Sequence, residues 1–144
     1  MILYRYAENK DIIDILSLDK EYFSNNFDEN FYLEYIGKQR VIVSENEKSI
    51  VGYILFNQIL DEAEIYKIVV SKDFRKKQIA FKIMEFLLED LQKNDVKKIF
   101  LEVRKSNIPA INLYKKCGFI EIREIVDYYT NPKEDGIMML KEVV

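Results

Sequence analysis

Histidine is absent from the 144 residues. Ser-His-Asp and Cys-His devices are therefore excluded, and so is a zinc site that includes an imidazole. Proton transfer falls to Glu, Asp, Tyr, Lys, Cys or water. Cysteine occurs once, at Cys117, so no disulfide can form within the chain, which suits a reducing compartment such as the cytoplasm. Only four glycines and two prolines interrupt the pattern, and there is no repeat, linker or low-complexity tract. One compact domain over 1–144 is expected. No apolar run approaches the roughly 20 residues that a membrane span needs. After Met1, "ILYRYAENK" reads as a first strand and lacks the pattern of a secretory signal. Positive charge is not in excess: 22 Lys and Arg face 25 Asp and Glu, a net charge of −3. General nucleic-acid binding is therefore not expected, and any basic patch must be local.

The sequence has 49% hydrophobic residues, enough for a core. Strands are predicted at "ILYRYA", at "RVIVSE" and "SIVGYILFNQIL" around a turn at 46–49, and at "EAEIYKIVV". Three more follow at "KKIFLEV", "FIEIREIVDYY" and "GIMMLKEV", the last two joined by a loop over 131–136. Helical spacing runs through Ile12, Ile13 and Leu16, and again through Phe31, Tyr32, Tyr35 and Ile36 behind an Asp28 N-cap. A third helix takes Ile79, Ile83, Phe86, Leu87 and Leu91 as its inner face, and Asn94–Asp95 break it. A fourth, short helix is capped by Ser106 or Asn107, has Pro109 in its first turn and stops at Gly118. The expected fold class is mixed α/β: one central, mostly antiparallel sheet flanked by about four helices.

The densest positive charge, Arg75, Lys76 and Lys77, falls where the strand ending at Val70 hands over to the third helix. The first N–H groups of a helix lack intrahelical partners, and the macrodipole adds about half a positive charge there. Strand, basic loop and helix together form an anion-binding geometry suited to a phosphate or pyrophosphate. The other reading is a solvated charged loop. No Gly-Lys-Ser/Thr follows, so a nucleotide P-loop is not expected.

The stretch "EAEIYKIVVSKDFRKKQIAFKIM" followed by "IFLEVRKSNIPAINLYKKCGF", over Glu62–Phe119, resembles the GCN5-related N-acetyltransferase superfamily. "LEVRKSNIPAINLYKKCGF" with the later "DYYTNPKEDGIMML" is similar, more narrowly, to RimI-type enzymes, which acetylate the N-terminal α-amine of a ribosomal protein. The resemblance implies acetyl-CoA as donor. Its pyrophosphate is expected on the amides of Lys76, Lys77, Gln78, Ile79 and Ala80, next to Arg75. Its pantetheine arm is expected beside the strand Ile68, Val69, Val70, with Asn107 hydrogen bonded to the same region. In the motif R/Q-x-x-G-x-G/A, Arg75 and Ala80 fit, but Gln78 replaces the first glycine. Glycine tolerates positive φ and close approach of phosphate, so a Gln side chain there must point away or crowd the ligand.

Glu102 sits between Leu101 and Val103 on a strand. Read by itself it is either a desolvated carboxyl with raised pKa or an exposed strand residue. The resemblance implies a general base, acting directly or through water. Tyr114 lies seven residues past Asn107, so both can share one helix face. By itself it suits core packing; the family match implies a general acid that also touches the cofactor. Cys117 reads as a small buried apolar group. The acceptor is expected between the helical hairpin near Phe27–Tyr35, with Tyr32 and Tyr35, and the loop 128–136, with Tyr128, Tyr129, Glu134 and Asp135. There the acids would attract a cationic peptide such as a protein N-terminus, and the other reading is an ordinary polar hairpin. The overall expectation is acetyl-CoA-dependent N-α-acetylation. Acetylation of a small amine or lysine is a second reading, and a CoA-binding module without turnover a third.

Overall fold

A computed structural model describes residues 1–75 and 78–143 of the chain. The chain runs β1 (Ile2–Tyr6), α1 (Ile12–Tyr22), α2 (Glu29–Gly37), β2 (Val41–Asn46), β3 (Ser49–Ile59) and β4 (Glu62–Val70). It continues through α3 (Ile79–Lys93), β5 (Lys98–Arg104), α4 (Ile108–Lys116), β6 (Ile120–Thr130) and β7 (Lys133–Glu142). The strands are hydrogen bonded in the order β1-β2-β3-β4-β5-β7-β6. The pairs β1/β2, β2/β3, β5/β7 and β6/β7 are antiparallel, whereas β4 and β5 are parallel. A parallel pair needs a long crossover, and α3 supplies it. The fold is a mixed α/β, mostly antiparallel sheet with four α-helices among the described residues.

Local signals set the element ends. Asp28 accepts a hydrogen bond from Phe31 N at 2.9 Å and so caps α2. Asn107 caps α4 through Ala110 N at 3.3 Å, and Pro109 lies in the first turn, where a missing N–H costs nothing. Gly118 follows α4 with φ +98°, the left-handed stop that glycine adopts without strain. The β6–β7 connection is shorter than expected. β7 begins at Lys133, so Glu134, Asp135 and Gly136 are strand residues and not loop.

The chain divides into two compact units, Met1–Phe56 with Lys67–Leu87, and Asn57–Tyr66 with Leu88–Val144. In the first, α1 and α2 bury Ile15, Leu18, Tyr32 and Ile36 in one cluster with Val41, Val43, Tyr53, Leu55 and Val69 of the strands. Each such aliphatic side chain taken from water contributes about 1.5–3 kcal/mol. In the second, Ile65, Ile99, Leu101, Val103, Ile137 and Met139 are buried at alternate strand positions, as the period of two requires. Their neighbours Glu64, Phe100, Glu102, Arg104 and Met138 project to the other face and are only half-buried. Among the described residues no helix is long and apolar enough to cross a membrane.

Candidate active site

In the first unit, β4 ends at Val70, Lys72–Phe74 form one turn of 3-10 helix, and α3 begins at Ile79. Val69 and Val70 are buried and Ile68 is half-buried. Arg75 is folded back: its Nε donates to the Val70 carbonyl at 3.0 Å, and its guanidinium lies 5.2 Å from the Tyr22 ring centroid. The Tyr22 hydroxyl accepts from Lys72 N at 2.9 Å, which ties the turn to the end of α1. Lys76 and Lys77, expected at the pyrophosphate, lie outside the described residues. Gln78 stands at φ +59°. It is exposed, and its carbonyl accepts the first helical bond, from Lys82 N at 3.0 Å. The backbone thus takes the left-handed shape that the motif glycine would allow, at a cost of about 1–2 kcal/mol for a residue with a Cβ. Helix α3 then begins at Ile79 and Ala80, and a helix N-terminus behind an exposed cap is suited to hold a diphosphate.

In the second unit, strand register assembles a row of side chains. Glu102 of β5 is opposite Met138 of β7, which is opposite Arg123 of β6. Glu64 of β4 is opposite Phe100, two residues before Glu102, and therefore on the same face. Glu102 is held above the ordinary carboxyl range, first by desolvation, then by the charge of Glu64 and a hydrogen bond with it; Arg123 opposes this. Tyr128 is 45% exposed. Its phenol is raised by desolvation and then by the fields of Glu102 and Glu64. A Cβ on Gly136 would lie 3.0–3.2 Å from the Tyr128 ring, so the missing side chain there lets the ring lie against β7. Tyr129 packs edge-on against Tyr128, with centroids 4.9 Å apart, and under the Arg104 guanidinium at 4.4 Å. Desolvation, with Tyr128 and Glu102, pushes Tyr129 up to about 12.

Tyr114 is 6% exposed, with its ring 6.0 Å from that of Phe119. Burial, then Tyr129 and Cys117, raises its pKa, so the phenol holds its proton throughout the neutral range. Asn107 uses its carbonyl oxygen for the helix cap, which leaves its amide hydrogens for another partner.

Three of the residues expected at the acceptor are already engaged. Tyr32 is 0% exposed, and its hydroxyl is bonded to that of Tyr53 at 2.7 Å. Burial first, then Tyr53 and Asp19, raises its pKa. It secures the core under α2 and does not present a surface to a peptide. Glu134 accepts from Ser106 N at 2.7 Å and pairs with Arg104 at 3.3 Å, bonds that hold its pKa below the ordinary range and fasten β7 to the start of α4. Asp135 accepts from Asp127 N at 2.8 Å. Tyr35 remains half-buried, stacked on Phe31 at 4.4 Å with Lys38 over its ring. Glu64 was not singled out from the sequence. The only signal was a carboxylate at alternation with buried Ala63 and Ile65, and its partner is 38 positions away.

Residues 10–119 match the Acetyltransferase (GNAT) family. The Arabidopsis thaliana N-terminal acetyltransferase B complex catalytic subunit NAA20 is 31% identical over 151 residues, covering 98% of this chain and 85% of the relative. The [ribosomal protein bS18]-alanine N-acetyltransferase of Escherichia coli K12 is 36% identical over 90 residues, 61% of each chain. The crystal structure of the Escherichia coli ribosomal-protein-S18-alanine N-acetyltransferase superposes with a TM-score of 0.89 at 26% identity, over 99% of this chain and 94% of that one. With more than two thirds of its length in that match, the chain belongs to the acetyltransferase (GNAT) family, enzymes that draw their acyl group from acetyl-CoA.

Proposed function

We propose that the chain acetylates the N-terminal α-amine of a protein, with a basic N-terminus of the ribosomal-protein S18 kind as its acceptor, in the cytoplasm. The observation that carries this reading is the half-buried Glu64–Glu102 pair, which raises the pKa of a carboxyl beside an accessible phenol. An α-amine has a pKa of about 8, whereas a lysine at about 10.4 is nearly all charged near neutral pH. A carboxyl base with a raised pKa is matched to the first. Relatives named as N-terminal acetyltransferases support the same acceptor class.

When bound, acetyl-CoA supplies a thioester whose carbonyl carbon accepts the amine nitrogen. In the first unit, the end of β4, Arg75 and the start of α3 would hold it. Glu102 takes a proton from the incoming ammonium, directly or through water, and frees the nitrogen lone pair. As the C–N bond forms and the C–S bond breaks, Tyr114 would pass its proton to the departing sulfur and would regain one from the acylated nitrogen, which must shed its second proton to become an amide. Its buried phenol is protonated at neutral pH, as an acid must be. A strand N–H near Val69 or Val70 would polarise the carbonyl. The hairpin around Phe27–Tyr35, with the half-buried Tyr35 on it, would receive the peptide in its unit.

The test is mass spectrometry after incubation of the protein with acetyl-CoA and a panel of N-terminal peptides, lysine peptides and polyamines. Product at the α-amine of peptides is expected. Product confined to polyamines or lysine side chains would replace the reading with small-amine or lysine acetylation. Binding of acetyl-CoA without release of CoA to any acceptor would make the chain a binding module.

A further inference from the structure

We propose that Lys67 and Asp19 are a positioning pair for the acceptor, holding the turn between α1 and α2 in the one shape that receives a peptide. The inference rests on the reading of the Phe27–Tyr35 hairpin as the acceptor's wall. Lys67 lies in β4 and is 8% exposed; Asp19 lies in the last turns of α1 and is 1% exposed. The Lys67 Nζ donates to Asp19 Oδ1 at 2.6 Å and to the Asn25 carbonyl at 2.5 Å. The same ammonium sits 4.5 Å from the Phe23 ring centroid and 4.4 Å from that of Phe27.

Asp19 holds the other side of the turn. Its Oδ2 accepts from Phe27 N at 2.9 Å, and its Oδ1 accepts from the Asn26 amide at 3.3 Å. That amide also donates to the carbonyls of Asp19 at 2.8 Å and Phe23 at 3.0 Å. Residues 23–28 form neither helix nor strand and contain no glycine or proline. Of the five residues 23–27, Phe23, Asn25, Asn26 and Phe27 touch the pair or its amide partner. The ion pair, with the Asn26 amide beside it, therefore fastens the turn at four of its five residues.

Energetics argue that stability is not the purpose. A buried lysine and aspartate lose much of their mutual attraction to desolvation, and an apolar pair of equal volume would stabilise as well or better. What an ion pair adds is direction: the ammonium fixes where Asn25 points and how both rings are turned. β4 continues from Lys67 directly into Ile68–Val70, the segment assigned to the cofactor. The pair thus registers the turn to that strand, and its loss should loosen peptide binding while leaving the cofactor segment in place.

The experiment compares Lys67→Met, Asp19→Asn and the double variant Lys67→Met/Asp19→Asn, which leaves no unpaired buried charge if a single variant fails to fold. Amide exchange at Phe27 and through 23–28 is read by NMR or mass spectrometry, alongside steady-state kinetics for an N-terminal peptide and for acetyl-CoA. In the double variant, exchange at the Phe27 amide should accelerate by about tenfold or more while β2 and β3 stay protected. The peptide KM should rise about tenfold, with the acetyl-CoA KM within about twofold and kcat within about threefold. Single variants that fold should raise the peptide KM as much as the double, because they break one pair. Unchanged exchange at 23–28, accelerated exchange with an unchanged peptide KM, or a parallel rise in both KM values would each overturn the proposal. If the unaltered protein acetylates no N-terminal peptide, the acceptor reading fails, and the positioning role fails with it. The exchange measurement would then show only whether the pair orders the turn.

Discussion

Gly52→Ala tests the packing that seats the cofactor strand. Gly52 is buried in β3, opposite Ser44 of β2, with ordinary negative φ, so alanine meets no backbone penalty there. The obstacle is space. An added Cβ would lie 2.7 Å from the Val69 carbonyl oxygen, 2.8 Å from Ser44 Oγ and 3.1 Å from Val70 Cγ2. Ser44 Oγ is buried without a hydrogen-bond partner, and its side chain can rotate. The Val69 carbonyl belongs to the backbone and cannot. Relief of an overlap about 0.7 Å inside ordinary contact must come from a shift of β3 or of β4 at Val69–Val70. Overpacking of this kind costs about 1–3 kcal/mol, and the lower entropy of unfolded alanine returns about 0.4–1 kcal/mol. A net loss of about 1–2 kcal/mol lowers Tm by roughly 3–8 °C for a chain of this size. Because the displaced residues are those assigned to acetyl-CoA, its Kd should rise by about tenfold. Thermal melts and calorimetry with acetyl-CoA read both. The double variant Ser44→Ala/Gly52→Ala should recover little, since the carbonyl remains. An alanine variant with the Tm and acetyl-CoA affinity of the unaltered protein would refute the reasoning, and full recovery in the double variant would shift the blame to Ser44.

Tyr114→Phe should lower kcat by about 10²–10⁴ while the acetyl-CoA Kd stays within about threefold, and an unchanged kcat removes the phenol from the chemistry. Glu64→Gln deletes a like charge beside Glu102, so the acid limb of kcat/KM should move to lower pH; a limb that stays in place breaks the coupling. The linkage has a definite sign. Glu102 binds its proton more tightly folded than unfolded, so stability falls as pH rises from the ordinary value of 4.5 through the raised folded value. Glu64→Gln should therefore melt higher than the unaltered protein above that window and lose the advantage below it, as melts in acid and at neutral pH will show. Asn107→Ala should cost about 1 kcal/mol through the lost cap. Asn107→Asp keeps the cap oxygen and removes the amide hydrogens, so it should keep Tm and weaken acetyl-CoA; equal affinity would confine Asn107 to capping.

Much of the fold was legible because its signals are local. The Asp28 and Asn107 caps, Pro109 in a first turn, Gly118 past a helix end and the alternation along β4 and β5 each act within about ten residues. The family motif is local as well, and the candidates Glu102 and Tyr114 come from it. Tertiary structure decided the partners. Glu64 meets Glu102 only because α3 returns the chain in parallel and the register sets Glu64 opposite Phe100. Tyr32 was expected on the apolar face of its helix and at the acceptor, but Tyr53, 21 residues on, engages its hydroxyl in the core. Lys67 was not singled out from the sequence, and only the fold carries Asp19 across 48 positions to pair with it. Glu134 and Asp135 carry the charge that a peptide site calls for, yet Arg104, Ser106 and Asp127 take their oxygens. Periodicity and capping are written in neighbouring residues. Which face a strand presents, and which distant charge or hydroxyl answers it, depends on register and topology, and those exist only once the chain has closed on itself.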